Sequence, residues 1–306
     1  MPSWQGAVFN ALLSYLVRPC LGYGKARGSL PRLRLRLLAL DRRWLAWPAG
    51  LETSRKALSQ SELLYYPSMR SGESREARGS LFYIRGGGFC FKTPHAHARM
   101  LAELGLSCDT DIYVPDYRLA PEHPFPAALD DVLEAYIQVL SLESAARLVL
   151  MGDSAGGNLA LSLLLELKRR HLPMPRACVL ISPALDLALT GDIERMLGAK
   201  DPFFSLESLL RLRGAYLAGA DPMAPAISPL LGDLCGLPAI LVIAGTRELL
   251  LQDSQRLLDK VGAAGGDIRA LFYPNMPHVF PLVAALPEAV DARLKICEFI
   301  RDRLQG

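Results

Sequence analysis

The chain alternates between short apolar runs and longer amphipathic stretches. Runs at 81–84, 112–114, 148–151, 177–181, 239–244 and 270–273 are rich in β-branched and aromatic residues. Those at 148–151 and 239–244 lack the polar alternation of a sheet with one wet face, which predicts parallel strands covered by helices on both sides. Between the strands, 127–140, 154–170, 249–261 and 282–304 have helix length, and the second ends in Lys168, Arg169 and Arg170, cations at the negative end of a helix dipole. The expected architecture is α/β, doubly wound, with a mostly parallel central sheet.

Two segments stand outside this alternation: residues 1–55 and residues 186–225, the second falling between two strands. Both are expected to form a helical cap, leaving 56–306 as the main domain. In the first segment Trp4, Val8, Phe9, Leu12, Leu13 and Leu16 predict the apolar stripe of a covering helix, with the arginines solvated. The first 40 residues hold Arg18, Lys25, Arg27, Arg32, Arg34 and Arg36 and no acid, which also resembles a transit peptide or a membrane-surface arm. No internal repeat is evident.

Composition narrows the classes. Of 306 residues 51% are hydrophobic and 21% charged, enough apolar surface for a large core and against disorder. A net charge of +3 is too near neutrality to expect a nucleic-acid partner. Cys20, Cys90, Cys108, Cys178, Cys235 and Cys297 form no C-x-x-C pair and have no histidine at ligand spacing, so neither a metal site nor a disulfide framework is expected. The apolar stretch 1–17 has no preceding base and contains Gln5, Asn10 and Ser14, unlike a signal-peptide core. The longest uncharged run, 270–287, carries Pro274, Pro277, Pro281 and Pro287, so it is not a membrane helix. A soluble, cytoplasmic protein without a membrane segment is expected.

Chemistry is concentrated after the strand at 148–151. Gly152-Asp153-Ser154-Ala155-Gly156 is a G-x-S-x-G entering a helix that is apolar nearly all round. Strand, sharp turn and helix are what a nucleophile elbow requires: the glycines permit close chain approach while the serine is lifted off the sheet. A phosphate-binding turn is the bland alternative, and Asp153 disfavours it by placing a negative charge there. A serine hydroxyl needs a base that can take and return a proton. Of five histidines, His95 and His97 precede the elbow, His123 lies between proline-rich turns and His171 follows the far end of the elbow helix. His278, on the loop after the last strand, is the expected base. The acid that orients it should lie between the two, and Glu248 and Asp253 are the contenders. Glu248 stands at the strand's C-terminal end and is preferred. On one helix the two would point about 140° apart, so both cannot serve, and Asp253 is the replacement if Glu248 only complements a helix dipole. Arg85-Gly86-Gly87-Gly88 follows the strand at 81–84 and offers bare backbone donors. Gly87, Gly88 and Ala155 are the expected oxyanion hole.

With these residues together, the chain resembles the hormone-sensitive-lipase family of bacterial esterases, within the α/β-hydrolase fold. The resemblance runs from about residue 60 onward and rests on Gly152 to Gly157, on Gly86 to Gly88 and on the long segment Asp116 to Ala128. It implies about eight strands, hydrolysis of short- to medium-chain carboxylic esters through a Ser154–His278–Glu248 triad and acyl-enzyme, no cofactor, and a small acyl ester as partner. Asp116 and Arg118 are read as a structural pair. Arg85 departs from the family, whose oxyanion motif begins with histidine, and a guanidinium is longer, permanently charged and differently shaped. Two other readings remain: deacetylation of an amide or drug-like ester by the same residues, and a ligand-binding receptor on this fold, against which His278 argues. Pairing of two copies through the edge strand at 270–273 is a further expectation.

Overall fold

The computed structural model describes residues 3–18, 29–68, 77–198 and 200–305. Cys20, Lys25 and Arg27, and the side chain of Leu16, lie outside the described residues.

Eight strands form one sheet: β1 (Ser54–Ala57), β2 (Glu62–Tyr66), β3 (Gly79–Ile84), β4 (Thr110–Asp116), β5 (Leu148–Asp153), β6 (Ala177–Ile181), β7 (Ala239–Gly245) and β8 (Ile268–Tyr273). Their order is β1-β2-β4-β3-β5-β6-β7-β8. β2 runs antiparallel to both neighbours, and all pairs from β4 to β8 are parallel. All six expected strands are present, each extended by at most two residues at either end. β1 carries no apolar run to announce it, every one of its residues being exposed, whereas β2 contains the run Leu63–Tyr66, which sequence reasoning passed over.

Strand alternation divides the core. Phe82, Ile84, Leu150, Leu180 and Val242 point to one face of the sheet, where α4 (Ala127–Leu140), α5 (Ala155–Arg169) and α8 (Leu251–Ala263) cover them. Tyr83, Met151, Val179 and Ile243 point to the other, under α3 (Pro94–Cys108) and α9 (Pro287–Gln305). Burial on both faces is why β5, β6 and β7 read as continuous apolar runs.

The two odd segments are helical. α1 (Trp4–Leu12, continued by a π turn Leu13–Val17) and α2 (Leu30–Trp44) precede the sheet, while α6 (Ile193–Gly198) and α7 (Leu206–Leu217) interrupt it between β6 and β7. The stripe expected on α1 divides in two. Phe9 and Leu13 turn inward, whereas Trp4, Val8 and Leu12 are exposed, because residues four apart share a face and only the face through 9 and 13 meets the molecule. A second correction concerns Asp116 and Arg118, which do not pair. Asp116 binds Arg85 and Lys92, while Arg118 grips the buried Asp131 of α4 with its guanidinium and its backbone amide. At a strand end a two-residue step need not keep both side chains on one side of the chain.

Candidate active site

Ser154 sits between β5 and α5 with φ 52° and ψ −119°, a left-handed backbone that costs an L-residue about 1–3 kcal/mol and persists only where the surroundings enforce it. They do so by contact: a Cβ on Gly156 would lie 2.0 Å from the carbonyl oxygen of Ile84, and one on Gly152 2.4 Å from that of Gly156. The elbow presses against β3, and only glycine fits there.

His278 Nε2 lies 2.9 Å from Ser154 Oγ, and its Nδ1 lies 3.0 Å from Glu248 Oε2. A neutral imidazole donates from Nδ1 to the carboxylate and accepts the serine proton at Nε2. Burial raises the pKa of Glu248 above its ordinary value, opposed by the hydrogen bond and charge of His278 and by the neighbouring Ser182 hydroxyl. Ser182 Oγ also accepts the amide of Val279, tying the histidine loop to the end of β6.

Asp253 faces elsewhere. Its carboxylate accepts the amides of Leu185 (2.7 Å) and Asp186 (3.1 Å) in the chain after β6. Burial pushes its pKa up to about 7 against those two bonds.

The glycine loop is fixed from three directions. Asp153 Oδ1 accepts the Gly86 amide at 2.7 Å and the Tyr83 hydroxyl at 2.5 Å, and His97 Nε2 stands 3.4 Å away. Burial opposes the charge of both Asp153 and His97, yet their mutual attraction lowers the first pKa and raises the second. Arg85 is buried and spans the loop's base. It donates to the carbonyls of Phe91 and Tyr117 and to Asp116, with its guanidinium 4.1 Å from the centre of the Tyr117 ring. Thus Arg85 fastens the loop from beneath. Gly87 (φ 119°) and Gly88 (φ 58°) turn the chain above it, and the amides of Gly87, Gly88 and Ala155 donate no hydrogen bond among the described residues.

Sequence reasoning passed over Asp201, Tyr83 and His97. Asp201 is fully buried in the segment before α7; Oδ1 accepts the amides of Phe203 and Phe204, and Oδ2 accepts that of Leu249, next to Glu248. Both phenylalanine rings pack against His278, at 5.9 and 4.9 Å between ring centres. No motif announces Asp201: Leu249, the partner that ties it to the site, is 48 residues away. His97 was set aside for its chain position, although α3 brings it under Asp153.

Ser154, His278 and the glycine loop border a cavity of about 360 Å³ whose remaining wall is mostly apolar. Phe9 and Leu13 from α1, Leu30, Leu33 and Leu37 from α2, and Leu212 from α7 contribute to it.

Residues 81–282 match a sequence family described as α/β hydrolase fold. An esterase of Acinetobacter venetianus is 36% identical over 235 residues, covering 74% of this chain and 78% of that protein. An acetyl-hydrolase of Streptomyces hygroscopicus is 36% identical over 208 residues, 68% of this chain and 70% of that one. Among solved structures, an esterase from the bacterial hormone-sensitive lipase family superposes with a TM-score of 0.88 at 29% identity, covering 99% of both chains.

Proposed function

This chain belongs to the α/β-hydrolase fold family and, within it, to the hormone-sensitive-lipase esterases; from that premise we propose that it cleaves short- to medium-chain carboxylic esters through a covalent acyl-enzyme at Ser154. That it is a carboxylesterase of the serine-hydrolase class follows from its relatives. The observation that carries the finer reading is the continuous relay from Ser154 through His278 to Glu248 at 2.9 and 3.0 Å, opening on an apolar cavity.

In this reading Ser154 Oγ attacks the ester carbonyl as His278 Nε2 takes its proton. The carbonyl oxygen gains charge beside the amides of Gly87, Gly88 and Ala155, which need no reorganisation to receive it. His278 returns the proton to the leaving alkoxide, and the acyl group stays on Ser154. Water, deprotonated by the same imidazole, then releases the acid. Glu248 keeps Nδ1 protonated and offsets the imidazolium charge. At about 360 Å³ the cavity is at the small end of the roughly 300–1,000 Å³ common for small-molecule sites, and it has more room than an acetyl group fills. α1, α2, α6 and α7 act together as the cap over this cavity.

A second reading, deacetylation, is supported by the likeness to the Streptomyces acetyl-hydrolase and uses the same residues. A screen of p-nitrophenyl esters from acetate upward separates the two by the acyl length at which kcat/KM peaks. Ser154→Ala tests both: it should retain the fold and lose at least about a thousandfold in turnover, and residual turnover near the wild-type rate would refute the assignment. We also propose that two copies pair along β8, whose described sheet neighbour is β7 alone. Light scattering of the purified protein decides that.

A further inference from the structure

The near-neutral net charge conceals a division. The first 44 residues carry eight bases and one acid, while the remainder carries 26 bases and 30 acids. Asp41, the one acid, is buried and accepts the amides of His95 and Ala96. The N-terminal helices are therefore a cationic cover on an acidic body.

Their outer faces are also apolar. On α1 and its π turn, Trp4, Val8, Leu12 and Tyr15 recur at helical spacing and are 73%, 50%, 50% and 80% exposed. On α2, Leu35 and Trp44 are 66% and 73% exposed, interleaved with exposed Arg32, Arg36 and Arg43. The inner faces of the same helices line the cavity over Ser154 through Phe9, Leu13, Leu33 and Leu37. α1 is seated on the histidine loop through Asn10, which donates to the Asn275 carbonyl. α2 is seated on the glycine loop through Arg34, which donates to the Cys90 carbonyl. The two helices stand at opposite rims of one site.

Tryptophan, tyrosine and leucine facing outward among arginines form the composition that settles at the boundary between lipid headgroups and acyl chains, and the arginines select an anionic surface. We propose that the outer faces of α1 and α2 dock this protein on an anionic lipid surface, peripherally and without insertion of a span. The occupant is chosen by charge complementarity: a second copy would bring eight bases against eight. Docking sets the cavity mouth at the lipid boundary, where amphiphilic esters reside. That consequence rests on the ester-hydrolase reading, whereas docking does not.

Of the three tryptophans, Trp4 and Trp44 stand on the outer faces of α1 and α2 and Trp47 lies just beyond α2 against Tyr66 and His95, so intrinsic fluorescence reports on this end of the molecule. The full-length Ser154→Ala protein should co-sediment with vesicles of phosphatidylcholine mixed with phosphatidylglycerol, with blue-shifted tryptophan emission, and bind pure phosphatidylcholine vesicles at least about tenfold more weakly. Trp4→Ser with Leu12→Ser should weaken sedimentation about tenfold. Arg32→Glu, Arg36→Glu and Arg43→Glu together should remove the preference for anionic vesicles. With Ser154 intact, both variant sets should hydrolyse a water-soluble p-nitrophenyl ester at the parent rate, which keeps failure of docking distinct from failure of the catalytic reading. Equal binding by parent and variants, or no sedimentation with either vesicle, would overturn the proposal. So would a blue shift that appears without vesicles and rises with protein concentration, since that assigns the faces to a second copy.

Discussion

On the glycine-loop side of Ser154, the groups that hold the site are polar, charged and buried. Asp153 with His97, and Arg85 with Asp116, clamp residues 85–91 against the ends of β5 and β4. On the opposite side, the insertion between β6 and β7 meets the site through rings and aliphatic chains. Phe203 and Phe204 lie on His278, Met196, Phe204 and Leu209 form a small core with Leu249 and Leu250, and Tyr216 stacks on Phe89 at 3.7 Å. Charged hydrogen bonds fix direction to within tenths of an ångström, while apolar contacts fix only proximity. The first wall is suited to holding donors for a developing charge. The second is suited to accommodating different acyl and alcohol groups, and its polar pins, Asp201 and Asp253 with Asp186–Arg256 and Gln252–Asp192, lie behind that apolar lining.

Removing the centre of the clamp should have the largest effect. Asp153→Ala leaves the buried Tyr83 hydroxyl without its acceptor and releases the Gly86 amide, so turnover should fall about a hundredfold and stability by about 2–4 kcal/mol. Initial rates and urea melts measure both. Asp153→Asn keeps an acceptor for Gly86 and should recover part of the rate; equal losses in the two variants would mean that the charge, not the loop contact, matters.

Arg85 comes next. Arg85→Met removes three donors from the base of the loop, for about 1–3 kcal/mol of stability and about a tenfold fall in kcat. Arg85→His, the residue of the wider family, should give no gain in rate, because an imidazole cannot reach Phe91, Asp116 and Tyr117 at once. A faster histidine variant would show the present loop to be poorly held.

On the apolar wall a smaller loss is expected. Asp201→Asn turns one acceptor into a donor, facing either the Leu249 amide or those of Phe203 and Phe204. A cost of about 1–2 kcal/mol and a three- to tenfold fall in kcat/KM, roughly, should follow. An unchanged rate would make Asp201 a pin of the insertion only.

The same contrast explains what could be read from the chain beforehand. Ser154, Gly86 to Gly88, His278 and Glu248 were legible because each follows an apolar strand, and a parallel sheet delivers all such strand ends to one edge. The clamp was not. Arg85, Asp116, Arg118 and Asp131 exchange partners according to side-chain direction at strand ends, which neither apolar spacing nor motif encodes. Asp201 was invisible for a similar reason, since its meaning arises only when residues 201 and 249 meet. The N-terminal stripe was seen as apolar but assigned wholly to the interior, whereas half of it faces outward.

The least effect on turnover is expected at Asp253, which touches none of the reacting groups and pins the insertion through the amides of Leu185 and Asp186. Its folded pKa, about 7, lies above its ordinary value because it is buried. Between the ordinary carboxylate range and pH 7 the native protein therefore keeps a proton that the unfolded chain has released. Stability contributed by this group is present at low pH and declines as pH rises through that window. Both amides donate to the same oxygen, so an asparagine with its carbonyl in that place preserves them without a titrating proton. Asp253→Asn should leave kcat unchanged and gain on the wild type by about 2–3 kcal/mol between pH 5 and 8, as read from paired urea melts. A difference that stays constant across that range would mean that Asp253 is ionised throughout in the folded protein, and that the apolar wall, like the glycine loop, is held by charge.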